Sequence, residues 1–60
     1  MATEKEIRER QQSTLYELLA MQRDYPELAE HKAIREMIRK AKAVMDKEDV
    51  AWVEKIVAEQ

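Results

Sequence analysis

Four basic side chains with helical spacing are the residues best able to bind a ligand by charge. Lys32, Arg35, Arg39 and Lys42 follow one another at intervals of three, four and three residues, so on a helix they form one stripe, called here the basic stripe. Even a protein with a pI near 5.4 can bind a phosphate backbone through such local charge, because binding releases counterions. A nucleic-acid-binding regulator is therefore one hypothesis for this chain.

The surrounding sequence favours a different role for the basic stripe. Residues 31–47 carry six Lys or Arg and two acidic residues, whereas residues 3–30 and residues 48–60 each carry a net charge of −3. A basic helix between two acidic ones can be neutralised inside its own bundle. The stripe also lacks the Asn, Gln and aromatic side chains that read bases or stack on them. We therefore expect a solvated or internally paired helix face, with nucleic acid as the less favoured partner.

His31 and the acidic string DKED at residues 46–49 are the other groups with chemistry to offer. Glu27 precedes His31 by four residues, but two ligands beside Lys32 do not make a structural metal site. DKED lacks the glycine and the alternating Asp ligands of a calcium loop. The chain has no Cys and no Gly, which excludes disulfides, cysteine nucleophiles and glycine-rich phosphate loops. We expect a protein that is not an enzyme and binds no metal or cofactor.

The composition predicts an all-α protein. Glycine is absent, there is one Pro, and 40% of the residues are charged, while the common residues are strong helix formers. Three signals mark helix starts: the capping box Thr3-x-x-Glu6, Pro26 in a first turn, and Asp46 before further acids. They predict one domain over residues 1–60, with helices at about 4–23, 26–45 and 47–59. A rival first start at Thr14 would leave residues 1–12 as a polar tail.

Short connections between these helices predict an up-down-up three-helix bundle. Its expected core is Leu15, Leu18, Leu19, Ile34, Met37, Ile38, Ala41, Met45, Val50, Val53, Ile56 and Val57. In the alternative, the second helix runs straight through Asp46, and the resulting helical hairpin dimerises into a four-helix bundle. Both architectures favour association, since a chain of this length buries only about 60% of its unfolded surface. A homodimer is therefore expected.

Several apolar side chains are candidates for contact with a partner. Trp52 lies at the edge of the third helix's apolar arc, so we expect it to close the core, with leftover apolar surface beside it. Tyr16 is expected to be exposed, opposite the leucine face of the first helix. An exposed Tyr is usually incidental, and the alternative is that Tyr16 and Met21 join in a second contact surface. Leu28 lies off the main arc of the second helix and either covers its first turn, the favoured interpretation, or contacts a partner.

The first helix also carries an a/d spacing with two polar members. These residues are Ile7, Gln11, Thr14, Leu18, Met21 and Tyr25. A polar residue at such a position can specify register or partner. In the favoured interpretation, however, the N-terminal half of this helix simply projects into solvent.

The function expected from these patterns is that of a small non-enzymatic helical interaction or regulatory protein. It would act through protein–protein contacts with itself or with another protein, and nucleic-acid binding through the basic stripe is the alternative. No apolar run approaches the roughly 18–20 residues that span a bilayer, and the charged start MATEKEIRER lacks the apolar segment of a secretory signal. We expect a soluble, cytoplasmic protein with no membrane partner.

Overall fold

The computed structural model describes residues 2–60 of the chain. Its elements are the helix α1 (Glu4–Asp24), a short 3-10 helix (Pro26–Glu30), the helix α2 (Lys32–Ala43) and the helix α3 (Lys47–Glu59). No β-strand occurs in this part of the chain. The predicted all-α class is confirmed.

Cross-helix contacts give the direction of each helix. Near its start, α1 contacts α3 close to the start of α3, through Arg8 and Asp49. Near its end, α1 contacts the last turn of α3, through Arg23 and Val57. The two helices therefore run in the same direction, and α2, which connects them in the chain, packs against α1. The predicted up-down-up three-helix bundle is confirmed.

The core lies along one side of α1, because α2 and α3 each pack mainly against α1. Leu15 is fully buried and Val53 is 1% exposed. The remaining buried apolar residues are Leu18, Ile38, Met45 and Val57. Half-buried residues surround this cluster: Tyr16, Leu19, Ile34, Ala41 and Val50. With 21 residues, α1 is about 32 Å long at 1.5 Å per residue, which accounts for most of the 37 Å long axis.

The first helix begins immediately after Thr3. Thr3 has an extended backbone, with φ −74° and ψ 163°, and its Oγ1 accepts a hydrogen bond of 3.1 Å from the backbone N–H of Glu6. This bond satisfies one of the N–H groups that the first turn of a helix leaves without a partner. The rival start at Thr14 lies in the middle of α1, so residues 4–12 are helical.

The predicted second helix is shorter than expected at both ends. Residues Pro26–Glu30 form a 3-10 helix, and His31 is extended, with φ −72° and ψ 118°, so α2 begins only at Lys32. In a continuous α-helix, Leu28 would lie about 80° around the axis from the buried Ile38. The break lets the 3-10 helix pack against both α1 and α2 with Leu28 half-buried. The interruption therefore brings Leu28 toward the bundle, which a continuous helix would not do.

The junction at Asp46 separates two helices. The helix α2 ends at Ala43, Asp46 is extended with φ −69° and ψ 148°, and α3 begins at Lys47. The alternative with one long helix through Asp46 is therefore wrong, and so is the hairpin architecture built on it. Asp46 occupies the N-cap position of α3, but its side chain makes no capping hydrogen bond.

Two apolar residues expected in the core are exposed, and so is Val44. Met37 is 51% exposed, Val44 65% and Trp52 54%, so Met37 and Trp52 are not core residues. A helix that packs mainly on one neighbour buries only a narrow strip. Met37 lies about 100° from Ile38, and Trp52 lies about 100° from Val53. Both therefore project beyond the strip that contacts α1.

In the described part of the chain, no helix combines the length and the apolar character needed to cross a membrane.

Candidate functional site

An ion pair between the exposed Arg8 and the buried Asp49 joins the start of α3 to α1. The side chain of Asp49 is 8% exposed, and its Oδ1 and Oδ2 accept hydrogen bonds from Arg8 Nη2 at 2.7 Å and Arg8 Nε at 3.1 Å. The hydrogen bond from Arg8 holds the pKa of the Asp49 carboxyl below its usual range, although burial acts in the opposite direction. Asp49 is therefore ionised at neutral pH, and the two-point contact fixes how α3 lies on α1.

The role of Asp49 was missed at the sequence level because DKED was interpreted as a helix start. Asp49 does lie in the first turn of α3, but its carboxylate pairs with a residue of another helix. One signal was present: Asp49 precedes Val53 by four residues and Ile56 by seven, so it belongs to the apolar side of α3. A charged residue within an apolar arc indicates a buried partner.

Hydrogen bonds at the C-terminal end of α3 hold the opposite end of the contact between α1 and α3. Arg23 Nη1 donates to the backbone carbonyl of Val57 at 3.2 Å and to Gln60 Oε1 at 3.3 Å. The Tyr16 hydroxyl donates to the same Gln60 oxygen. A cation at a helix C-terminus also interacts favourably with the helix dipole. The helices α1 and α3 are thus held together at both ends.

Between the Arg8–Asp49 pair and the hydrogen bonds to Gln60, α1 and α3 form the walls of an open apolar groove of about 340 Å³. The residues that line it, called here the Trp52 groove, are Glu9, Gln12, Ser13, Tyr16, Trp52, Val53 and Ile56. Trp52 is 54% exposed and Ile56 is half-buried. Val53 forms the buried floor. The groove presents an aromatic side chain beside apolar walls, with polar side chains from α1 along one edge.

The expectation for Tyr16 was wrong. Tyr16 is half-buried against the core rather than exposed, because it faces α3 and bonds to Gln60. Met21 follows Tyr16 by five residues, which places the two about 140° apart around α1. They therefore do not share a surface. Tyr16 and Trp52 both line the Trp52 groove, whereas Leu28 lies in the 3-10 helix.

The basic stripe lies along α2 with two of its four charges offset by acids. Arg39 Nη2 contacts Glu36 Oε2 at 2.8 Å within the same helix, and its hydrogen bond lowers the pKa of the Glu36 carboxyl. Lys42 Nζ lies 4.0 Å from Glu54 Oε2 of α3. Lys32 and Arg35 are exposed and form no ion pair with any residue in 2–60. The stripe is therefore partly neutralised and partly available.

A second apolar surface lies on the opposite side of α1 from the Trp52 groove. Its most exposed members are Ile7 at 47%, Met21 at 39%, Tyr25 at 58%, Met37 at 51% and Val44 at 65%. Three of these residues belong to α1 or its C-cap, and two belong to α2 or its C-cap. We call this surface the α1–α2 face.

In residues 2–60, no three His, Asp or Glu side chains lie close enough together to hold a metal ion. No protein-family model, curated protein or solved structure matches this chain.

Proposed function

We propose that this chain is a small non-enzymatic interaction protein that self-associates and acts on a partner through protein–protein contacts. The observation that carries the proposal is the exposure of Trp52 at the edge of the Trp52 groove. Tryptophan is among the residues most often found at the energetic centre of protein interfaces. A domain of 60 residues that leaves its one Trp outside the core has an apolar surface suited to binding.

The construction of the Trp52 groove also supports this proposal. The two helices that form the groove are joined at one end by Arg8 and Asp49 and at the other by hydrogen bonds from Tyr16 and Arg23 to Gln60, which favours a preformed groove. A preorganised surface binds with a smaller entropy cost than one that orders on contact. The polar side chains of Gln12 and Ser13 border the apolar floor, as at the rim of a typical interface.

Photo-crosslinking inside cells tests this proposal directly. A benzoylphenylalanine residue replaces Trp52 in one variant and Ala51 in the other. Ala51 is also exposed, and it lies about 100° away around α3, so it controls for nonspecific proximity. We expect the Trp52 variant alone to give a discrete crosslinked species whose second component mass spectrometry identifies as one protein. Equal crosslinking at both positions, or none at Trp52, contradicts the proposal.

Nucleic-acid binding is the second candidate, supported by the exposed cations Lys32 and Arg35, which form no ion pair within residues 2–60. It is tested by fluorescence anisotropy with random-sequence duplex DNA and with single-stranded RNA, at low and moderate salt. If only these two residues reach phosphates of duplex DNA, log affinity should fall with log salt with a slope of about −1.8, and if all four stripe residues do, the slope should be about −3.6.

The control is a variant in which all four residues of the basic stripe are replaced by Ala. Salt-sensitive binding that this variant loses would establish the second candidate. An absence of binding by the parent protein at low salt would exclude it. The second result is the one we expect.

A further inference from the structure

We propose that the α1–α2 face is the interface between two copies of this chain, with the two α1 helices packed antiparallel across a two-fold axis. This inference rests on the proposed function, since it names one partner of a protein that acts through protein–protein contacts. The occupant is a second copy of the chain. A helix from an unrelated protein is the competing occupant, and the test below separates the two.

Observed contacts establish which side of α1 this face occupies. Arg8, Tyr16 and Arg23 reach α3, and on the helix they lie to one side of the fully buried Leu15. The a/d residues of α1 lie to the other side of Leu15, toward α2. This set, called here the α1 seam, is Ile7, Gln11, Thr14, Leu18, Met21 and Tyr25.

The same argument orients α2. Lys42 lies on the side of α2 that faces α3, because it reaches Glu54. Met37 and Val44 lie on the other side of Ile38, about 140° or more from Lys42 around the helix, so they border the α1 seam. The half-buried Ile34 and Ala41 fall between them and the core. The α1 seam and this side of α2 therefore form one continuous surface.

The surface carries no charge, although 40% of the chain's residues are charged. The α1 seam spans a sector of about 80° and the matching side of α2 a sector of about 100°. Neither sector contains Asp, Glu, Lys or Arg. Helix faces that contact solvent normally carry such residues, and the core of an interface is depleted in them. An uncharged, partly exposed face of two adjacent helices is the expected surface of half a four-helix bundle.

The chain also exposes more surface area than a folded monomer of its mass typically does. Its accessible surface is 4900 Å², whereas a folded monomer of 7.1 kDa typically exposes about 4,100 Å². The excess of about 800 Å² equals the area that each partner typically buries in a specific interface. A second copy on the α1–α2 face would bring the exposed area per chain to the value typical of its mass.

The charges beside the α1 seam favour a second copy of the chain as the partner and favour its antiparallel orientation. Arg10 and Glu17 flank the seam, both are exposed, and neither forms an ion pair with any residue in 2–60. In an antiparallel pairing that sets Gln11 opposite Thr14 of the second copy, Arg10 lies opposite Glu17 of that copy. The two-fold axis repeats the pair, giving two intermolecular ion pairs. In a parallel pairing, neither residue would meet an opposite charge.

The polar members of the α1 seam fit this register. Gln11 and Thr14 meet at the centre of the antiparallel pairing, where the amide and the hydroxyl can hydrogen-bond. A buried polar pair of this kind fixes register and favours one partner over others, because any shifted pairing leaves polar groups without partners. On either side of the centre, Ile7 then lies opposite the turn of the second copy that carries the exposed Met21, while Leu18 stays in the core of its own chain. The order of polar and apolar residues is thus self-complementary.

Sedimentation equilibrium over a range of protein concentrations tests the inference. We expect the parent chain to form a dimer, and Met21→Glu and Met37→Glu each to raise the dissociation constant by about tenfold or more, because each places a charge in a desolvated interface. Both side chains are exposed, so circular dichroism should show that these variants keep their helices. Trp52→Ala, on the opposite side of α1, is the matched control and should leave the dimer unchanged.

A charge exchange tests the antiparallel register. Glu17→Arg should weaken the dimer, because it places two arginines opposite each other. The double variant Arg10→Glu/Glu17→Arg should restore the dimer, because it rebuilds both pairs with their signs reversed. If the dimer of the double variant has a dissociation constant equal to or higher than that of Glu17→Arg, the proposed register is wrong.

The other possible results of the sedimentation experiment show whether the dimer interface or the proposed function is wrong. A chain that stays monomeric at all concentrations overturns the inference, as does a dimer that Met21→Glu and Met37→Glu leave intact. If Trp52→Ala dissociates the dimer instead, the copies meet through the Trp52 groove and the interface assigned here is wrong. A monomer would also contradict the self-association in the proposed function, whereas specific crosslinking of Trp52 to a different protein would in each of these cases still support action on a partner, so the two failures are distinguishable.

Discussion

Replacing Leu15 with Ala should remove most of the stability of this bundle. Leu15 is fully buried, at the point where α1 meets the rest of the core. The change removes three carbon atoms, which costs about 2.4 kcal/mol at about 0.8 kcal/mol per buried methylene. The cavity that remains raises the cost to about 3–5 kcal/mol. A core in a chain of this size supplies about 3–5 kcal/mol in total, so the variant should be close to half unfolded without denaturant.

The assay is urea unfolding followed by circular dichroism, with the parent chain as reference. At a slope of about 1 kcal/mol per M urea, as expected for a small domain, a loss of about 3 kcal/mol lowers the midpoint by about 3 M. Titrations at two protein concentrations are needed, because the stability of a dimer rises with concentration. Leu19→Ala is the matched control: it is the same change one helical turn later, at a half-buried position, and should cost about 1–2 kcal/mol.

The test compares the unfolding free energy lost in Leu15→Ala with that lost in Leu19→Ala. If Leu15→Ala costs less than about 1 kcal/mol, or no more than Leu19→Ala, then Leu15 is not at the centre of the core. Such a result would refute the packing described here, since a fully buried leucine in an interior of ordinary density cannot be truncated without a cavity.

Other perturbations have equally definite expected results. The Asp49 carboxyl should titrate below its usual pKa in NMR, and Arg8→Ala should raise that pKa, because the Arg8 hydrogen bond is the largest cause of the shift. The stability contributed by this pair should be present in full above the unfolded-state pKa near 3.8 and be lost as the pH falls through the lower folded-state pKa, as measured by urea midpoints across that range. Thr3→Ala should cost about 1 kcal/mol by urea unfolding, because it removes an observed capping bond, whereas Asp46→Ala should cost only about 0.3–1 kcal/mol, through the helix dipole alone. Acrylamide should quench Trp52 fluorescence strongly in the folded monomer at low concentration, because that side chain is 54% exposed; weak quenching there would show that Trp52 is buried.

The two apolar surfaces lie on different sides of α1, which gives the proposals a common structural basis. Pairing through the α1–α2 face would leave the Trp52 groove open in both copies. A dimer of this kind would present two identical grooves related by the two-fold axis, so a partner with two binding segments would bind it by avidity. Charge variants of the α1 seam would then weaken partner binding without touching the groove itself.

The amino-acid sequence by itself determined the fold class and the order of the helices. Without glycine and with one proline, the chain has few places to turn, and strong helix formers fill the segments between them. Thr3 and Asp46 lie at helix starts, and the sequence indicates this because Thr and Asp are favoured at the N-cap position. The apolar periodicity also identified Leu15, Ile38 and Val53 as core residues, since a helix in a bundle must bury one side.

Only the tertiary structure decided how wide the buried strip of each helix is and which polar groups pair across helices. Met37 and Trp52 belong to apolar arcs in the sequence, yet each helix touches too few neighbours to bury an arc of that width. Asp49 fits the first turn of a helix in the sequence, and only the approach of Arg8, 41 positions away, gives its buried carboxylate an ion-pair partner. Periodicity is a property of one helix, whereas burial and charge pairing depend on where its neighbours lie.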